Sequence, residues 1–182
     1  AQRLLVEKRD YSSVSGLQKI ARDKTNPGHL NAIWTLHGID KLDTQLFWKL
    51  TKNTSPAGRA ALLRISEPWL AKGDPAFVDY ASSELNAAEP EIQRQAVLSL
   101  GELPENSRTI HLAKFASQGS RIEAMDEALV SGIAGQEIPF LKQLTNPLHA
   151  DAQSVVRLAV STLIERGNAD EIAAALDLLL AP

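Results

Sequence analysis

The chain holds no cysteine among its 182 residues, so disulfides, thiolate nucleophiles, cysteine-ligated zinc and covalent c-type haem attachment are excluded within it. That absence suits the cytoplasm and the periplasm equally. An excess of basic charge is also missing. Nineteen Lys and Arg stand against 22 Asp and Glu, for a net charge of −3 and a pI near 5.8. A dedicated nucleic-acid binder instead advertises a basic face. No apolar run approaches the ~20 residues of a membrane span, and the stretch from Ala1 to Arg9 lacks a signal-peptide core. Strand signals are nearly absent, since β-branched alternation is hard to find while Ala, Leu, Glu, Gln and Lys dominate.

What is present is helical. Apolar positions recur at three- and four-residue spacing along the whole chain. The clearest stretch runs from Asn26 to Ile39, where Asn26 reads as an N-cap, Pro27 as a first helical residue and Gly38, followed by Asp40, as the end. The same start signal returns at Ser55-Pro56, Asp74-Pro75 and Glu89-Pro90. Ser120 reads as a further cap, and Gly119 and Gly167 as helix ends. Pro68 is expected to end or kink the helix it falls in. Leu4-Leu5 opens a lead-in helix, and the residues from Ile172 to Leu180 form a last one.

Five alanines, Ala32, Ala61, Ala96, Ala128 and Ala159, hold one register, with separations of 29, 35, 32 and 31 residues. An apolar pair or triplet follows each, and a break precedes each. A two-helix unit of this length cannot bury its own apolar face, so it must stack on its neighbours. The expectation is an all-α fold, an α-α superhelix of about five helix pairs in which the small residue allows close helix approach.

In these features the chain resembles the HEAT-repeat family over essentially its whole length, as a single repeat domain spanning 1–182. The repeat is a little shorter than the usual HEAT length of about 40 residues. HEAT units often carry an Arg near the start of the second helix. Arg59 matches it, while His29 and Gln93 replace it elsewhere. More narrowly, Ala32 to Ile39, Ala61 to Glu67 and Leu100-Gly101-Glu102-Leu103 are similar to the HEAT segment of large bacterial secreted dehydrogenase-like proteins. There a propeller precedes the repeats and a c-type cytochrome domain follows, and the place of His37 is more often acidic. That resemblance implies a periplasmic or extracellular module whose haem and catalytic residues lie outside this chain. The missing initial Met, and an end at Ala181-Pro182 just after an apolar helix, fit the expectation of a fragment of a larger multidomain protein.

Candidate chemistry is sparse. His29 and His37 lie two turns apart, about 12 Å along a helix axis, too far to share a metal. His111 and His149 fall on other segments, and all four read as solvent-facing or capping residues. Asp40 with Asp43, and Asp126 with Glu127, read as residues of turns and helix ends, because nothing implies a pocket that would perturb them. No Gly-x-Ser-x-Gly elbow surrounds Ser15 or Ser131, and no phosphate loop surrounds Gly58 or Gly73. Trp34 and Trp48 read as core packing, whereas Trp69, beside Pro68, reads as the better exposed contact.

Arg59, Arg64, Arg94, Arg121 and Arg157 supply basic residues to the second helices, as a DNA-contacting helical-repeat glycosylase would require. Glu67, Glu102, Glu123, Asp126 and Glu127 interrupt them. The expected function is therefore a non-enzymatic scaffold or protein-interaction module with no catalytic residue, cofactor, metal or small-molecule substrate. Its partner would be a protein or a neighbouring domain, without nucleic acid or membrane insertion. The alternatives are a spacer between a dehydrogenase and a cytochrome, and a DNA-binding repeat enzyme.

Overall fold

The computed structural model describes residues 2–9, 11–118, 124–144 and 152–180. Gly119, Ser120, Arg121, Glu123, Pro147 and His149 lie outside the described residues. Among the described residues the chain is all-α, with twelve α-helices, one 3-10 turn and no strand. The chain groups into two compact units, Ala1–Ser66 and Glu67–Pro182.

The first unit holds α1 (Gln2–Lys8), α2 (Val14–Arg22), α3 (His29–Gly38), α4 (Thr44–Thr51) and most of α5 (Pro56–Leu70). Both α1 and α2 pack on α3. Ile33, Leu36, Phe47, Leu50, Leu62 and Leu63 are fully or almost fully buried there. Asn26 acts ahead of the helix it was expected to cap. Its Oδ1 accepts the Gly28 N–H at 2.8 Å, which closes a turn, and α3 starts at His29.

Helix α3 ends at Gly38, as expected, and the left-handed residue beyond it is Asp40 at φ 57°. The Asp40 N–H donates to the His37 carbonyl at 3.0 Å and the Lys41 N–H to that of Leu36 at 2.8 Å, the paired bonds of a Schellman end. Gly38 is small for a different reason, since a Cβ there would lie 3.0 Å from a Val6 methyl. Asp43 caps α4 by accepting the Leu46 N–H at 2.7 Å, and Ser55 caps α5 by accepting the Gly58 N–H at 3.1 Å.

Pro68 does not end α5. The helix continues to Leu70, because a proline this near the C-terminus forfeits only its own bond to the Arg64 carbonyl. Gly73, at φ 68°, makes the stop, with the Gly73 N–H on the Leu70 carbonyl and that of Asp74 on Trp69.

The second unit continues with α6 (Pro75–Glu84), α7 (Pro90–Leu100), α8 (Glu105–Ala116), α9 (Ala124–Gly132), α10 (Glu137–Leu144), α11 (Gln153–Arg166) and α12 (Ala169–Leu180). Its packing forms two rows. Helix α7 packs on α9 and α9 on α11, while α8 packs on α10 and α10 on α12. Contacts of α7 with α8, α8 with α9, α10 with α11 and α11 with α12 join the rows. Each of the five aligned alanines falls on an odd-numbered helix from α3 to α11, and every one is buried, at 5% exposure or less.

One close approach in this unit comes from glycine. A Cβ at Gly101 would stand 2.9 Å from the Gly132 Cα, so the end of α7 meets the end of α9 almost backbone to backbone. Two polar clusters add direction. Ser99, fully buried on α7, donates to Glu67 Oε1 at 3.1 Å and accepts from Gln95 Nε2 at 3.0 Å. Glu137, buried at the start of α10, pairs with Arg166 at the end of α11, and Arg166 reaches Glu171 on α12 at 3.1 Å. These carboxylates hold the guanidinium charged, Glu137 contributing most through its hydrogen bond and charge.

Candidate functional site

A cleft between α6 and α8 brings together the most varied polar side chains of the second unit. On α6 and just past its end, Asp79, Ser82 and Asn86 stand three and four residues apart and so share one face. On α8 and just past its end, His111, Lys114 and Gln118 do the same. These residues line a space of about 270 Å³, floored by buried Leu85 and Phe115. The two helices do not close on each other as α8 and α10 do, which leaves this space between polar walls.

His111 is the centre of the cleft. Its Nδ1 lies 3.3 Å from Ser82 Oγ. Partial burial holds its pKa below the usual histidine value and the nearby Lys114 cation adds to the effect, while Asp79 opposes both. The imidazole is therefore neutral at neutral pH. A nucleophilic serine needs its histidine oriented by a further group, commonly a hydrogen-bonded carboxylate. Asp79 acts on His111 through charge and has no hydrogen bond to it among the described residues. The lining otherwise holds one cation, Lys114, one carboxylate, Asp79, and two amides, Asn86 and Gln118.

The remaining histidines do other work. His29 is 3% exposed, and its Nε2 lies 2.7 Å from Thr54 Oγ1. A Cβ at Gly58 would stand 2.9 Å from that nitrogen, so the missing side chain makes room for the pair. His29 Nδ1 is buried with no hydrogen-bond partner among the described residues. The expectation of a solvent-facing or capping residue fails for His29, because it starts α3 on that helix's inward face. His37 is exposed on the same helix, with its ring 6.1 Å from that of Trp34.

The tryptophans are intermediate in exposure. Trp34 is half-buried rather than core, because the inward register of α3 is His29, Ala32, Ile33 and Leu36, one step from Trp34. Trp48 is also half-buried, edge-on to buried Phe47 at 5.0 Å. Trp69, expected to be an exposed contact, stacks on Phe77 at 4.7 Å and 12°. Arg64, Arg94 and Arg157 are exposed on their helices, and Arg59 is half-buried. Among the described residues no three His, Asp or Glu side chains gather to hold a metal, and no helix is long and apolar enough to cross a membrane.

Compared with models of protein families, with curated proteins and with solved structures, the chain matches none of them.

Proposed function

We propose that the chain is a HEAT-like α-solenoid module that presents a helical surface to a protein partner or a neighbouring domain and carries no chemistry of its own. The observation that supports this reading most directly is the packing of α7 to α12 into two rows, in which α7 to α10 each rest on the helix two places along. Stacking of this kind leaves the outer side of each row available, and solenoids bind through such surfaces. The buried alanine of each odd-numbered helix from α3 to α11 adds a sequence register to the same pattern. The odd-numbered helices carry the candidate contact face, with Arg94 and Arg157 exposed on it.

Photo-cross-linking tests the reading. A photoreactive residue replacing Arg94 or Arg157, compared with one replacing Lys114 or Lys142 on the even-numbered helices, is expected to trap protein mainly from the odd-numbered positions. Equal yields from both rows, or no adduct at any position, would sink it. Salt-sensitive binding of duplex DNA by the isolated chain would favour the nucleic-acid reading instead.

A further inference from the structure

The charge of the chain is divided unevenly between its two units. Residues 1–66 hold 11 Lys and Arg against 5 Asp and Glu, a charge of +6, whereas residues 67–182 hold 8 against 17, a charge of −9. The overall −3 hides this split, and an asymmetry of this size points to an anionic partner for the basic half. The four carboxylates described in the first unit are already engaged. Glu7 pairs with Arg3 at 2.7 Å and Asp40 lies 3.9 Å from Arg9. Asp43 caps α4, and Asp23 accepts from Thr25 Oγ1 at 2.6 Å.

The cations left over gather where α2 and α4 end. Arg22, Lys49 and Asn53 line an open cleft of about 390 Å³ floored by buried Leu50, and no carboxylate lines it among the described residues. Arg22 and Lys49 are exposed, and neither has an ion-pair partner among the described residues. Lys19 stands three residues before Arg22 and Lys52 three after Lys49, so each helix end carries two cations on one face. A helix C-terminus offers about half a negative charge. Two cations at each end exceed that and repel each other, and a bound anion would relieve the repulsion.

We infer that this cleft takes a short acidic segment of a partner protein, with carboxylates on Arg22 and Lys49 and the Asn53 amide donating to one of them. This rests on the reading of the chain as a protein-interaction module and adds a contact on the first unit whose chemistry is ionic. The −9 of the second unit, on the same chain, disfavours an extended polyanion such as nucleic acid, which carries a negative charge every ~1.7 Å of duplex. A few carboxylates are enough to match the four cations.

Fluorescence anisotropy of a labelled decaglutamate peptide with the full chain tests it. The expected result is saturable binding at low salt that fades as salt is raised, because the cations are exposed. Arg22→Gln with Lys49→Gln should weaken binding about tenfold with the helical circular dichroism unchanged. Lys72→Gln with Lys142→Gln removes the same charge from exposed positions of the second unit and should leave binding within twofold. No binding at low salt overturns the inference, as does an equal loss from both pairs of substitutions. Tighter binding of a single-stranded decanucleotide than of the peptide also overturns it, and would assign the basic half to nucleic acid. Failure of the peptide to bind, alongside odd-row cross-links to a protein, would remove this contact and leave the interaction reading standing.

Discussion

Gly101 and Gly132 meet so closely that a methyl group on the first would lie 2.9 Å from the Cα of the second. Gly101→Ala must push the ends of α7 and α9 apart, at a cost of about 1–3 kcal/mol. Gly132→Ala meets the flexible end of Leu112 at 3.0 Å instead, which can yield by rotation. Thermal unfolding should rank Gly101→Ala as the more damaging of the two. The reverse order would mean that this contact does not limit the helix spacing.

Ala96 is fully buried on α7. Ala96→Leu should overpack its surroundings and cost about 1–3 kcal/mol, read as a fall in the denaturation midpoint at unchanged slope. A neutral result would mean that the shared alanine register does not mark a tight contact.

Gly58→Ala places a Cβ 2.0 Å from Thr54 Oγ1. The hydroxyl has to turn away, and His29 then loses its one side-chain hydrogen bond among the described residues while remaining buried. Such a loss costs about 1–3 kcal/mol. Adding Thr54→Ala to Gly58→Ala should cost little more, because the bond is already gone. Additive losses in urea unfolding would contradict this.

How much of this was legible beforehand differs from residue to residue. The five alanines were legible because a small residue on a recurring helix face leaves a register in the sequence. Ser55 and Asp74 were legible because capping is local. The Gly101–Gly132 contact was not, since only the fold brings two glycines 31 residues apart together. Ile110 shows the limit of reading an apolar face by spacing. Its spacing puts it with Leu112, Ala113 and Ala116, yet it is 56% exposed while Thr109 and Phe115 are buried. The cleft between α6 and α8 was illegible for another reason. Each of its walls looks like an ordinary solvated stripe until the opposite one is placed.

His111 gives the fold a pH dependence of definite sign. Its pKa is lower folded than unfolded, so the unfolded chain binds more protons as the pH falls below about 6.5. The contribution is intact above that value and is lost as the pH falls through the folded pKa. Urea midpoints at neutral and mildly acidic pH should show a smaller drop for His111→Gln than for the parent. Lys114→Met should also reduce the drop, because it removes the second cause of the shift.

Arg166 joins the buried Glu137 to Glu171. Arg166→Met leaves the Glu137 carboxylate with the Gly135 N–H as its remaining bond among the described residues. It should lower the melting temperature more than Glu171→Gln, since the stranded Glu137 is 2% exposed and Glu171 is partly solvated. Equal losses would assign Arg166 a purely surface role.

Helix α12 buries one side chain, Ala175, although most of its residues are apolar. Little holds it shut, so its amides should exchange with solvent through local opening well before those of α7, whose Ile92, Ala96, Val97 and Leu100 are buried. Whatever settles on α12 would slow that exchange, and the protection of this single helix would report its occupancy residue by residue.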